Sequence, residues 1–200
     1  MVLLARSEVG FIYLMSTVPV RTLADLRNSK TWIPDRDPLS KTFLETVGVS
    51  PIQLTIPDVL TSLQTGLVNT VFNSFYGSII LQWFTRTQYI TNSPFSYGYG
   101  AVLVDSGTFS RLSPEHAALM RETAQKHFSK LIASTRDSNN ESWAALKKNG
   151  AELVQPDPQD IRSLHVSRDK TVAALAGKAF SREAYDKVIT ALEEYRSLKN

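Results

Sequence analysis

The chain contains no cysteine, no long apolar run and no run of like charges. The absence of cysteine excludes disulfides, thiolate metal sites and cysteine nucleophiles. The 22 lysines and arginines are spread along the chain against 19 acidic residues, which gives a formal net charge of +3. Because nucleic-acid backbones are bound by concentrated basic patches, this distribution argues against nucleic acid as a partner.

Sequence signals for membrane spans, metal sites and catalysis are also missing. No window reaches the roughly eighteen consecutive apolar residues of a membrane-spanning helix. The three histidines, His116, His127 and His165, lack the spacing of a helical zinc motif. No G-x-S-x-G elbow, phosphate-binding loop or pair of metal-binding carboxylates is recognisable. We therefore expect a protein that is not an enzyme and that holds no metal or cofactor.

Apolar residues make up 42% of the 200 positions, enough for the core of one or two domains. Their periodicity predicts that strands and helices alternate in the first half of the chain. The predicted strands are Val9–Ser16, Thr31–Pro34, Pro51–Ile56 and Leu67–Asn73. A capping box at Thr22, an Asp37-Pro38 start and a stop at Gly66 delimit the helices between them. Such alternation is typical of a small parallel sheet covered by helices.

The second half of the chain is dominated by one long predicted helix. It starts at Ser113-Pro114 and runs to Lys148, with a bend expected in its weakest part at 136–142. At about 1.5 Å per residue it extends about 50 Å, so we expect it to span more than one lobe. We also predict a helix over 75–85, separate strands at 87–91, 96–105 and 151–155, and one or two C-terminal helices.

Aromatic residues concentrate in the middle of the sequence. Nine of them fall in residues 72–99: Phe72, Phe75, Tyr76, Trp83, Phe84, Tyr89, Phe95, Tyr97 and Tyr99. Such density is typical of a hydrophobic core and also of the walls of small-molecule pockets. In parallel α/β sheets ligands bind at the carboxyl ends of the strands, where Trp32 and Asn73 are predicted to lie. Both residues are therefore candidate ligand contacts.

Several short motifs follow one another in order along the chain. They are Pro19 with Asp25-Leu26, Lys30-Thr31-Trp32-Ile33-Pro34, Gly48-Val49-Ser50-Pro51, Leu63-Gln64-Thr65-Gly66-Leu67-Val68-Asn69-Thr70 followed by Asn73, and FSRLSPEHAALMRETAQ at 109–125. Together they resemble the substrate-binding proteins of tripartite ATP-independent periplasmic (TRAP) transporters, of the DctP type. Each motif alone is weak, but the series covers almost the whole chain.

The resemblance implies an α/β, periplasmic-binding-protein-like fold of type II-like architecture. In this fold two lobes close on a ligand, and a long helix braces both. The resemblance also implies that this chain is incomplete, with an N-terminal lobe and an export signal ahead of the position of Met1. On this basis residues 1–98 build the second lobe, 99–138 cross to the first lobe, and 139–200 return to the second.

The function that the resemblance implies is that of a periplasmic solute receptor, which binds an organic acid and delivers it to TRAP membrane permease subunits. The family's carboxylate-binding arginine corresponds here to Trp32, and its ligand-contacting asparagine to Asn73. An indole offers one N–H and a large ring face instead of the paired hydrogen bonds of an arginine. We therefore expect a ligand with an apolar or aromatic part.

Three further residues are candidates for ligand contact. Arg36 can hold a carboxylate beside a helix start, although a surface ion pair with Asp35 or Asp37 is its more expected role. Tyr13 lies beside the position of a second family arginine, and a core role is about equally consistent. Phe72 replaces a family carboxylate and makes the pocket less charged.

Two rival functions stay open on the sequence alone. One is an α/β enzyme such as a hydrolase or lyase, for which no nucleophile or metal set is recognisable. The other is a truncated homologue that no longer binds solute and acts only as an interaction module, since one lobe alone would leave apolar surface open. In that case Asn73 would only cap the end of a strand.

Overall fold

A computed structural model describes residues 1–198, which form six strands and eight α-helices. The strands are β1 (Val2–Ser16), β2 (Trp32–Pro34), β3 (Ile52–Leu54), β4 (Thr70–Asn73), β5 (Tyr89–Val104) and β6 (Glu152–Val154). The helices are α1 (Leu23–Arg27), α2 (Pro38–Thr46), α3 (Ile56–Thr65), α4 (Phe75–Ile80), α5 (Ser106–Ser110), α6 (Pro114–Lys148), α7 (Pro158–Leu175) and α8 (Arg182–Ser197). A short 3₁₀ helix, Trp83–Thr85, follows α4.

The sheet is mixed, with a long antiparallel ribbon of β1 and β5 at its centre. The strand order is β4-β1-β5-β6, in which β1 is antiparallel to β4 and β5 while β6 is parallel to β5. β2 and β3 form a parallel pair, which a bridge between Thr31 and Thr70 joins to β4. The predicted parallel sheet is therefore correct for β2, β3 and β4 and wrong for β1, because hydrophobic periodicity marks a strand without fixing its direction.

Local signals in the sequence place the helix ends correctly. The Thr22 side chain accepts a hydrogen bond from the Asp25 amide, and the Asp25 carboxylate accepts one from the Thr22 amide, which confirms the capping box. The Asp37 carboxylate accepts from the Ser40 amide at the start of α2. Gly66 ends α3 with a φ of 73°, a left-handed conformation that glycine adopts without strain.

Several predicted boundaries differ in the structure: the helix predicted over 75–85 is α4 followed by the 3₁₀ helix, and the strands predicted over 51–56 and 67–73 are shorter. The largest differences lie in the central ribbon. β1 begins at Val2 rather than Val9, and the two strands predicted at 87–91 and 96–105 are one strand, β5. Pro94 does not end β5, because it lies at a shift in the pairing register between Ile12 and Tyr13. A proline without an amide N–H is tolerated at such an irregularity.

Two hydrophobic cores lie on opposite faces of the sheet. The first core contains Met15, Trp32, Val59, Leu63, Val68, Val71, Trp83, Ile90 and Leu146. The second core contains Leu14, Val20, Leu26, Ile33, Phe43, Leu44, Val47 and Val49. Successive residues of a strand point to opposite faces, which is why the neighbours Leu14 and Met15 belong to different cores.

Helix α6 runs continuously for 35 residues, as the sequence predicts, and the helix continues through the segment 136–142. Its buried residues are Ser142 and Leu146, both near its C-terminal end. Among residues 1–198 no helix is long and apolar enough to cross a membrane.

Candidate functional site

Asn73 ends β4, and only the oxygen of its side-chain amide is hydrogen-bonded within the described chain. The residue is 8% exposed, and its Oδ1 accepts a hydrogen bond of 2.9 Å from the Ser74 amide. Its Nδ2 is buried and has no partner among the described residues. Buried polar atoms in folded proteins are nearly always hydrogen-bonded, so an unpaired N–H₂ group marks a place where an acceptor from outside the chain can bind.

Tyr13 lies opposite Asn73 on the neighbouring strand, as its direct Cα partner. Its ring stacks on Phe75, with 4.4 Å between the centroids and an angle of 9° between the planes. Its hydroxyl makes no hydrogen bond within the described part of the chain. Burial raises the pKa of Tyr13, so the phenol keeps its proton at neutral pH and stays a donor.

The start of α4 fixes the position of the Asn73 side chain. Ser74 caps this helix by accepting a hydrogen bond from the Gly77 amide at 3.0 Å. Gly77 lies so close that an added Cβ would collide with the amide oxygen of Asn73. The Ser74 amide at the start of this helix fixes the Asn73 oxygen, and the absence of a side chain at Gly77 leaves the space that the Asn73 amide occupies.

Asn139 on α6 ties this helix start to the central ribbon. It accepts a hydrogen bond from the Tyr76 amide at 3.2 Å and donates to the carbonyls of Val9 at 2.9 Å and Thr135 at 3.0 Å. No sequence motif singles out Asn139, although it lies in the polar segment 136–142 that interrupts the apolar stripe of α6. That break in the stripe was the available signal.

Arg36 lies just beyond the same edge of the sheet. The Thr31–Thr70 bridge aligns β2 with β4 in parallel, so Pro34 lies level with Asn73 and Arg36 follows two residues later. Arg36 is exposed, with a φ of 62°. Within residues 1–198 it makes no ion pair, so the surface pair expected with its acidic neighbours is not formed and its charge is available to a ligand.

Trp32 is packed as a core residue. It is 3% exposed, its Nε1 donates to the Leu54 carbonyl at 3.0 Å, and its ring meets Trp83 edge-on at 5.1 Å between centroids. Neither the N–H nor the ring face is open to an outside molecule in this conformation. Its contact with a ligand stays a prediction, and the geometry gives it no support.

Phe72 points to the opposite face of the sheet from Tyr13 and Asn73. It is half-buried beside the second core, with its ring 4.4 Å from that of Phe95. Strand alternation makes this unavoidable, because Phe72 and Asn73 are consecutive residues of β4. The structure thus brings Tyr13 and Asn73 together and separates Trp32 and Phe72 from them, while strand register places Arg36 beyond the same edge of the sheet without a contact to either.

Three side chains at this edge of the sheet present hydrogen-bond donors and one positive charge. Tyr13 offers an O–H, Asn73 an N–H₂ group, and Arg36 a guanidinium, and none of these donors has a partner among the described residues. A ligand that fits such a set carries acceptor oxygens, and a carboxylate satisfies both the donors and the charge. Over the same residues no group of three or more histidine, aspartate or glutamate side chains is placed to hold a metal ion.

Sequence comparison finds matches over most of the chain. Residues 1–177 match the model of the DctP family, described as bacterial extracellular solute-binding protein, family 7. A curated relative, the uncharacterized protein YiiZ of Salmonella typhimurium strain LT2, is 26% identical over 156 residues. That match covers 72% of this chain and 47% of the relative, so the chain spans about half the length of this curated protein.

Structural comparison finds TRAP periplasmic solute-binding proteins with small molecules bound. The protein from Desulfovibrio salexigens with bound orotic acid has a TM-score of 0.83 at 19% identity, covering 98% of this chain and 62% of that one. The Pseudomonas putida F1 protein with bound D-glucuronate gives 0.76 at 23%, covering 86% and 56%. The Bordetella pertussis receptor binding pyroglutamic acid gives 0.80 at 19%, covering 88% and 58%. These matches confirm the predicted solute-binding-protein fold.

Proposed function

Because this chain belongs to bacterial extracellular solute-binding protein family 7, we propose that it is the solute receptor of a TRAP transporter. In this role it binds a small organic acid in the periplasm and delivers it to the membrane permease subunits. The bound molecules named for the related structures, orotic acid, D-glucuronate and pyroglutamic acid, are all organic acids, which supports the ligand class. The family and the matched structures are transport proteins and not enzymes.

The observation that carries this proposal is the unpaired amide of Asn73. Its buried Nδ2 lacks an acceptor, while the Oδ1 is fixed by the Ser74 amide, so the amide cannot turn to exchange the two roles. A ligand carboxylate oxygen supplies the missing acceptor, and the Tyr13 hydroxyl on the adjacent strand donates a second hydrogen bond. Arg36 adds a positive charge at the same edge of the sheet.

The ligand that this site favours has an apolar or aromatic part. The stacked rings of Tyr13 and Phe75 offer an apolar surface directly beside the Asn73 amide. A ring-bearing carboxylate therefore fits better than a highly hydroxylated dicarboxylate.

We also propose that the chain contributes to two lobes, with 1–98 and 139–200 in the second lobe and 99–138 in the first. The burial of α6 supports this division, since its buried residues Ser142 and Leu146 lie after the proposed boundary. Leu119 and Leu131, before or near that boundary, are 57% and 46% exposed. The site would then be closed by groups of the first lobe.

A thermal-shift screen of organic acids tests the proposed function. We expect at least one ring-bearing carboxylate, with orotate and pyroglutamate as the first probes, to raise the melting temperature. Mass action predicts a stabilisation of about 2.7 kcal/mol at a hundredfold excess of ligand over its dissociation constant. D-glucuronate serves as the hydroxylated comparison.

The matched variants are Asn73→Asp and Asn92→Asp. The first keeps the acceptor for the Ser74 amide but replaces the free donor with a second acceptor, so the thermal shift should disappear while the fold persists. Asn92 is exposed and lies outside the site, so the same substitution there should leave the shift unchanged. A shift that survives Asn73→Asp, or no shift with any acid, would contradict the proposal.

A further inference from the structure

A second cavity lies on the other side of the sheet from Asn73, between β5, α2 and α7. Its volume is about 590 Å³, within the range of small-molecule pockets. Leu14 forms part of its floor, whereas the preceding residue of β1, Tyr13, faces the candidate site. Because consecutive strand residues point to opposite faces, the cavity and the candidate site are separated by the sheet itself.

The walls of this cavity are mostly apolar. The apolar side chains from β1, α2, β5 and α7 include Leu14, Phe43, Phe95, Ile161, Leu164 and Val172. Phe43 and Phe95 meet with 5.4 Å between their centroids and an angle of 69°, which gives two ring surfaces in different orientations. An apolar ring of a ligand fits against such surfaces.

Thr171 supplies an unsatisfied polar group within the apolar walls. It is 3% exposed, and its Oγ1 has no hydrogen-bond partner among the described residues. A threonine inside a helix commonly bonds the carbonyl four residues earlier, as Thr46 does to Thr42 in α2. Thr171 makes no such bond and lines the cavity instead, so its hydroxyl is available to a ligand.

Positive charge lies on the same wall as Thr171. Arg168, which carries this charge, lines the cavity one helical turn before Thr171, and His165 lines it about two turns before, along the same side of α7. Arg168 pairs with Asp169 at 2.8 Å, but both side chains are largely exposed, and such surface pairs are weak and easily exchanged. On the facing wall the Asp37 carboxylate is engaged in capping α2, since it accepts from the Ser40 amide.

We propose that this cavity is a second small-molecule site that takes an aromatic monocarboxylate. The ring lies between Phe43, Phe95 and Leu164, and the carboxylate is held by the Arg168 guanidinium and the Thr171 hydroxyl. This site is separate from the one at Asn73, so a ligand bound there does not need the sheet edge or the other lobe.

Isothermal titration of the full chain with phenylacetate tests this proposal. Leu164→Trp fills the cavity and should abolish binding, whereas Leu119→Trp places the same indole on an exposed part of α6 and should leave binding unchanged. Thr171→Val keeps the side-chain shape without the hydroxyl and should weaken binding about tenfold, since hydrogen bonds to charged groups have about that effect. Arg168→Gln should also weaken binding, with Arg162→Gln on the same helix as its control.

Asn73→Asp distinguishes the two sites. Phenylacetate binding that persists in Asn73→Asp and is lost in Leu164→Trp supports the cavity. Binding lost in Asn73→Asp and kept in Leu164→Trp and Thr171→Val overturns the proposal and assigns the acid to the sheet edge. No binding to the unchanged chain also overturns it, and neither result alters the separate test with orotate and pyroglutamate. Thr171→Val, which changes no volume, decides the question if Leu164→Trp does not fold.

Discussion

Two regions of the molecule differ in how they bury their apolar side chains. We call residues 11–97 and 139–175 the body, and residues 2–10 and 98–138 the arm. The two regions meet where Gly10 pairs with Gly98. Both hydrophobic cores lie in the body. In the arm as described, Ala5 is the one apolar residue that is fully buried, while Leu3, Tyr99 and Leu103 are 44%, 73% and 49% exposed. The body therefore buries its own apolar side chains, whereas the arm leaves contiguous apolar residues exposed.

The largest expected difference between body and arm comes from removing one aromatic ring in each. Trp83 is 2% exposed and packs against Trp32, so Trp83→Ala should lower the free energy of unfolding by about 3–5 kcal/mol. Tyr99→Ala removes a ring that is 73% exposed and should change it by no more than about 0.5 kcal/mol. Urea unfolding of both variants measures the two values. Similar losses in the two variants would remove the distinction between body and arm.

The same comparison can be made within a single helix. Leu146 near the end of α6 is 1% exposed, and Leu131 earlier in α6 is 46% exposed. Leu146→Ala should cost about 2–5 kcal/mol, whereas Leu131→Ala should cost well under 1 kcal/mol because little of its surface is buried. Helix propensity is identical in the two substitutions, so the difference in unfolding free energy reports packing alone. A larger loss at Leu131 would mean that the arm has its own core.

Features of the structure that depend on neighbouring residues can be predicted from the sequence, and features that depend on distant residues cannot. The caps at Thr22 and Asp37 and the stop at Gly66 depend on residues within a few positions, so they are visible in the sequence. The hydrogen bonds of Asn139 join residues 63 and 130 positions apart, and no local pattern encodes them. Likewise the burial of Trp32 depends on Trp83, which the fold brings beside it. The position of Asn73 was predictable because a strand end and a helix start are both local features.

Gly77→Ala tests whether the short helix α4 fixes Asn73. In an unconstrained helix the change from glycine to alanine is favourable by about 1 kcal/mol. Here the added Cβ would collide with the Asn73 amide oxygen, so we expect a net loss of about 1–3 kcal/mol, as for overpacking elsewhere. Gly107→Ala in α5 is the control, since its Cβ would meet only the exposed Asp105 carboxylate. Stabilisation by Gly77→Ala would show that Asn73 has room to move.

The smallest expected effect comes from the ion pair that joins β1 to α6 in the arm. The Glu8 carboxylate accepts two hydrogen bonds from Arg136, each 2.7 Å long, and one of 2.8 Å from the Tyr97 hydroxyl. These partners, Arg136 before Tyr97, lower the pKa of Glu8 below its usual value of 4.5. A carboxyl group whose pKa is lower in the folded state stabilises the fold above its unfolded pKa.

The difference in melting temperature between the unchanged chain and Glu8→Gln should therefore decrease as the pH falls. The unchanged chain should melt slightly above Glu8→Gln at neutral pH, and this advantage should vanish as the pH falls below 4.5 and through the folded-state pKa of Glu8. The difference is small because Arg136 is 61% exposed and water screens the pair. Glu141→Gln, the same substitution at an exposed carboxylate on α6, is the control. Melting curves over the acidic range give the comparison, and a difference that stays constant with pH would mean that the charge of the Glu8 carboxylate contributes nothing to joining β1 to α6.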